Sequence, residues 1–137
     1  MSGNKIILSD NHKRSLSSTL IIVEQHLFEI RDVMDDTNQK CCFEITKDID
    51  SGSIEHNKEV INEALALICS LKEKYCTDKA TQSLKRVVNA KKSKIWETLH
   101  NSKSRRMKGF GEFPQKIVKE YDSDLDQLIS ITEKLDL

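Results

Sequence analysis

The chain has 137 residues, enough for one hydrophobic core and short for two, so it reads as a single domain over 1–137. Charged residues make up 32%, hydrophobic residues 37%, and only four Gly and one Pro are present, too few punctuating residues for a strand-and-turn fold. No apolar run approaches the roughly 20 residues of a membrane span, and Met1-Ser2-Gly3-Asn4-Lys5-Ile6 lacks the long apolar stretch of a secretion signal, so a cytoplasmic protein is expected, with no membrane partner.

Ser9 or Asp10 is a suitable N-cap for a first helix, because a short oxygen side chain can accept from the orphan N–H groups of the first turn. Behind it Leu16, Leu20, Val23, Leu27, Ile30 and Met34 alternate at steps of four and three, the seam of a helix packed on other helices. Cys41 and Ile45 continue that seam, so the helix either runs on to about residue 49 or breaks near Thr37-Asn38. Ile21 and Phe28, seven apart, lie on a different side, and Ile22 and Val33 extend a third edge. A helix apolar nearly all round is enclosed or shared with a second chain, which predicts a homodimer through Ile21 and Phe28.

Asp50-Ser51-Gly52-Ser53 is the first clear turn signal. A second helix after Ser53 aligns Ile54, Ile61, Leu65, Ile68 and Tyr75, widened by Val60, Ala64 and Leu71, an arc broad enough for a central element. Thr77 or Asp78 can cap a third helix with core face Ala80, Leu84, Val87, Val88, Ile95 and Leu99. Gly109-Phe110-Gly111-Glu112-Phe113-Pro114 ends it, Gly suiting the left-handed C-cap and Pro the next first turn. A fourth helix then presents Ile117, Tyr121, Leu125, Leu128, Thr132 and Leu135 inward. Four amphipathic helices with short links predict an all-α fold, an antiparallel up-and-down four-helix bundle.

The net charge is zero, but its sign is sorted along the chain. Residues 24–63 hold eleven acids and four bases, 79–108 ten bases and the single acid Glu97, and 112–137 seven acids and three bases. The third helix is therefore the strongly basic one, with Lys85, Lys92, Trp96, Lys103 and Met107 in a stripe on the flank of its core face, bordered by His100. Lysines in such a stripe neutralise phosphates and an exposed Trp stacks on a base, which is the nucleic-acid or polyanion reading. The competing reading pairs the basic helix with the acidic helices or with a protein partner, and the absence of an overall basic domain favours it. Arg105, Arg106 and Lys108 ahead of Gly109 and Gly111 form a dense positive cluster; C-capping accounts for it, and its spacing matches no Walker-type phosphate loop.

Cys41, Cys42, Cys69 and Cys76 form no Cys-x-x-Cys knuckle, the adjacent pair bridges only with backbone strain, and reduced, partly buried thiols are expected. Glu97-x-x-His100 is half of a di-iron carboxylate motif with no second half, so no metal or cofactor is expected. Asp122-Ser123-Asp124-Leu125-Asp126 lies on a helical pattern and lacks the Gly-containing loop of a calcium site. His100-Asn101-Ser102-Lys103-Ser104 resembles the His-x-x-Lys-Gly/Ser stretch of histidine phosphotransfer domains, also helical bundles, although Arg105 and Arg106 stand where that family usually has small residues. The resemblance implies phosphotransfer at His100. No nucleophile with a base at recognisable spacing appears elsewhere. The reading is a small non-enzymatic interaction protein whose recognition surface is Lys85, Lys92, Trp96, His100, Lys103, Arg105, Arg106 and Met107, with polyanion binding and phosphotransfer as alternatives.

Overall fold

The computed structural model describes residues 5–36 and 40–136, and every regular element among them is helical. The helices are α1 (Asp10–Asp35), α2 (Ser51–Lys74), α3 (Leu84–Asn101) and α4 (Val118–Thr132), with 3-10 segments at Ser104–Phe110 and Gln115–Ile117. The chain divides into two compact units, residues 1–79 and 80–137.

In the first unit, α1 begins where its cap requires: the Ser9 hydroxyl accepts from the His12 backbone N–H at 3.2 Å. The helix ends at Asp35, before Thr37-Asn38, which lie outside the described residues. Cys41 and Ile45 follow in an exposed non-helical segment, so the longer helix to residue 49 does not form. The α1 and α2 helices are antiparallel, tied at opposite ends. The Ile6 N–H donates to the Lys74 carbonyl at 2.7 Å, and Lys58 pairs with Asp35. That hydrogen bond to Asp35 holds the Lys58 ammonium above the ordinary lysine range.

Asp50, not a residue after Ser53, caps α2, accepting from Ser53 N–H at 2.7 Å. Ile61 and Ile68 are buried and Ile54, Leu65 and Tyr75 half-buried, the face expected from the sequence. On α1, Leu16, Leu20, Leu27 and Met34 are half-buried, whereas Val23 and Ile30, which share their sequence seam, are about half exposed. The reason is rotational: at 100° per residue Val23 and Ile30 fall to one edge of the stripe, next to Ile22 and Val33, which are also exposed. Val60 and Leu67 lie on the corresponding edge of α2, so one side of this antiparallel hairpin carries an apolar strip.

The end of α2 is a Schellman closure. Thr77 N–H returns to the Lys72 carbonyl at 3.0 Å and Cys76 N–H to Glu73 at 3.3 Å, with Cys76 at φ +54° in the left-handed position usually given to Gly. Thr77 is thus part of a C-cap, and the expected helix start at Thr77 or Asp78 is displaced to Ser83, whose hydroxyl accepts from Arg86 N–H. Ala80 consequently lies outside α3. Of the cysteines only Cys76 is half-buried; Cys41, Cys42 and Cys69 are free and exposed, a correction to the expected burial.

In the second unit α3 and α4 are also antiparallel. Lys92 Nζ donates to the Leu135 carbonyl at one end, and Tyr121 and Asp122 bond to Ser102 and Ser104 at the other. The inward face of α4 keeps Tyr121, Leu125 and Thr132, half-buried as expected, and is turned toward Ile129. Ile129 is buried at 6% exposure, while Ile117, Leu128 and Leu135 are each above 40%. On α3, Val88, Ile95 and Leu99 are half-buried, but Leu84 is 69% exposed at the frayed-in first turn and does not join the core. No described helix is long and apolar enough to cross a membrane.

Candidate functional site

The helix α3 ends at Asn101 with Ser102 as its cap, so the basic cluster is not its last turn as the sequence suggests. Instead the chain turns at Lys103 and enters the 3-10 segment Ser104–Phe110, which stops at Gly111, where φ is +121°. The left-handed residue is Gly111, not Gly109. Lys103 and Met107 therefore leave the helical register that joins Lys85, Lys92 and Trp96, and the five-residue stripe is in fact two pieces.

What fixes the turn is α4. Asp122 accepts from the Ser104 N–H at 2.8 Å and from its hydroxyl at 2.7 Å, and these bonds, the backbone one foremost, hold the Asp122 carboxyl below its ordinary range. Ser104 is buried by this contact. The Tyr121 hydroxyl donates to the Ser102 carbonyl at 2.6 Å, and the Tyr121 ring packs on Phe113 with centroids 4.8 Å apart. Two acids of the Asp122–Asp126 run are thereby structural: Asp122 fastens the turn and Asp126 pairs with Lys103.

These contacts sort the predicted surface by availability. Lys103 is committed to Asp126 and Lys92 to the Leu135 carbonyl. Arg105, Arg106 and Lys85 are exposed and make no ion pair or hydrogen bond among the described residues. Met107 is half-buried. Trp96 is 48% exposed, its ring 4.0 Å from that of half-buried His100 at a tilt of 42°.

Around Trp96 the surface is concave. A cleft of about 460 Å³ is bounded by Trp96, His100 and Asn101 on α3 and by Lys103, Arg105 and Arg106 at and beyond the turn, with Glu97 and Asp122 also on its wall. A second, of about 360 Å³, lies along α3 on the Asn89, Lys92 and Ser93 side, and Trp96 borders both. The fold places Trp96, His100, Lys103, Arg105 and Arg106 of the expected surface on this one cleft, together with Asn101 and Asp122, which the sequence did not single out for it because their placement depends on where the chain turns after Asn101.

Among the described residues no group of three or more His, Cys, Asp or Glu side chains could hold a metal ion. Glu97 and His100, both on the cleft wall, have no second carboxylate–histidine pair facing them. The predicted interface residues of the other unit stand apart from this site in sequence and chemistry: Ile21 is half-buried, and Phe28 is 38% exposed with the Arg31 guanidinium 4.6 Å from its ring centroid. Comparison with protein families, curated proteins and solved structures found no match to this chain.

Proposed function

We propose that the chain is a non-enzymatic interaction protein that recognises an anionic partner through the edge of α3 and the 3-10 segment after it. The observation that carries this reading is that Arg105 and Arg106 stand unpaired on the rim of a concave surface, while Lys103 is already committed to Asp126 of α4 and Lys92 to the Leu135 carbonyl beyond it. An arginine pair left free beside satisfied lysines offers planar, bidentate donors to a carboxylate or phosphate. A second observation agrees. The first turn of α3 carries Lys85 and Arg86 and no acid, against the sign the helix dipole favours there, at about 0.3–1 kcal/mol for each such charge. Cations that fold stability disfavours at that position fit a surface kept for binding.

Protein and nucleic-acid partners both meet this description. Trp96, half exposed between two clefts, favours nucleic acid as the second reading, since an indole face stacks on any base. The deciding experiment is binding of labelled single- and double-stranded oligonucleotides at low and at physiological salt, with Arg105→Glu/Arg106→Glu as control. Salt-sensitive binding lost in the control supports the nucleic-acid reading. No binding at low salt rejects it and leaves an acidic protein surface as partner. Self-association through α1 is part of the same proposal, supported by the exposed Phe28 on one flank of the helix and the exposed apolar strip of Ile22, Val23, Ile30 and Val33 on the other.

A further inference from the structure

We infer that the cleft between Trp96 and the Arg105–Arg106 pair takes a nucleoside phosphate unit, its heterocycle against the indole and its phosphate at the guanidinium groups. The inference rests on reading this edge as an anion-recognition surface, and it names the ligand. Four features of the cleft select that chemistry.

Its positive side chains are Lys103, committed to Asp126, and the unpaired Arg105 and Arg106, whose forked donors match a phosphate as well as a carboxylate. Its aromatic group is half exposed, which is costly to leave in water and useful only to a flat or apolar ligand. Glu97 and Asp122 share the wall, so a ligand with negative charge along its whole length, such as an acidic peptide, brings carboxylates up against carboxylates. A ligand with one compact anionic end and a neutral polar ring avoids that conflict. Finally, Asn101 offers an amide donor and acceptor and Glu97 an acceptor, the groups that read exocyclic amines and ring nitrogens of bases. At about 460 Å³ the cleft falls within the roughly 300–1,000 Å³ typical of sites for molecules of nucleotide size.

The ligand could be a free mononucleotide or one residue of a single strand, and the same titration distinguishes them. Trp96 is the only tryptophan of the chain, so its emission reports the surface it borders, and the arginine substitutions tie a response to this cleft. The full-length protein is titrated at low salt with adenosine monophosphate, adenosine, ribose phosphate, inorganic phosphate, a phosphotyrosyl peptide and a short oligoadenylate. Adenosine monophosphate is expected to change Trp96 emission saturably and to bind roughly tenfold or more tightly than adenosine, ribose phosphate or inorganic phosphate, each of which lacks one half of the ligand. Arg105→Ala/Arg106→Ala, with its helical circular dichroism unchanged, is expected to weaken adenosine monophosphate by a similar factor and adenosine hardly at all. Oligoadenylate binding tighter than the monophosphate assigns the site to a strand; equal affinity assigns it to the free nucleotide.

Inorganic phosphate or the phosphotyrosyl peptide binding as tightly as adenosine monophosphate overturns the inference while leaving an anion-binding edge in place. Oligonucleotide binding that the arginine substitutions abolish, without any response to the mononucleotide, does the same. Failure of every one of these ligands at low salt overturns the inference and the nucleic-acid reading together and leaves an acidic protein surface as the partner.

Discussion

The turn of the α4 inward face toward Ile129 can be tested by two neighbouring truncations. The sequence places Leu128 on the inward face, whereas the fold buries Ile129 to 6% exposure and leaves Leu128 at 46%. Ile129→Ala removes a nearly full hydrophobic side chain from contact and leaves a gap, which in well-packed sites costs about 2–5 kcal/mol. Because the surrounding residues are only half-buried and the gap can partly collapse, the lower half of that range, about 2–3 kcal/mol, is expected. Leu128→Ala removes a side chain already half in water, and half of the roughly 1.5–3 kcal/mol of full burial is about 1 kcal/mol. Urea unfolding followed by Trp96 emission reads the second unit directly. With a urea slope of roughly 1–3 kcal/mol per molar, Ile129→Ala should lower the midpoint by about 1 M or more, and Leu128→Ala by half that or less. Equal losses, or a larger loss for Leu128→Ala, would refute the turn toward Ile129 and show that Leu128 is covered in solution.

Four further outcomes are expected. Asp122→Asn should lower stability at neutral pH, since the carboxylate that holds the Ser104 turn loses its charge. Its carboxyl lies below the ordinary range when folded, so the wild-type advantage is full above that range, begins to close only below it, and vanishes beneath the depressed value; urea midpoints measured down into acid will show whether it does. Cys76→Gly should raise stability by up to about 1 kcal/mol in thermal unfolding, because Gly occupies the left-handed closing position of α2 without a Cβ penalty. Trp96 emission should be red-shifted and readily quenched by iodide, given its 48% exposure, and a blue, protected emission would remove it from the proposed surface. Phe28→Glu should give a folded protein of monomeric mass by light scattering if α1 carries a dimer face; a dimer that persists moves the interface away from Phe28.

How far the sequence was legible follows from the range over which each determinant acts. The Ser9 cap of α1 and the Ile54, Ile61, Leu65, Ile68 face of α2 are local patterns, and both appear in the structure as the spacing implies. The start of α3 was not legible in the same way. Thr77, Asp78 and Ser83 are all acceptable N-caps, and the choice falls to Ser83 because Thr77 is used in closing α2, its N–H bonded to the Lys72 carbonyl. The false continuation of α1 through Cys41 and Ile45 has a similar origin, since a periodic pattern says which residues could share a face but not where the helix stops.

The site shows the same division more sharply. Sequence alone separates acidic from basic stretches, but it cannot say which bases meet acids in the fold. In the second unit the acids of α4 reach selected partners only, Asp126 taking Lys103 and Asp122 the Ser104 turn, while Lys92 is taken by the Leu135 carbonyl beyond the helix. Had the basic stretch simply been neutralised by its acidic neighbour, the bases nearest the turn would all be engaged. Instead the two arginines directly after it are left unpaired, on the rim of the cleft that Trp96 borders. An exposed ion pair contributes little stability in any case, typically about 0–1 kcal/mol, so the fold gains little by pairing them and loses little by leaving them free. Charge segregation in this chain therefore does not imply self-pairing, and it leaves the two arginines beside the exposed indole available to the proposed ligand with one anionic end and one flat one.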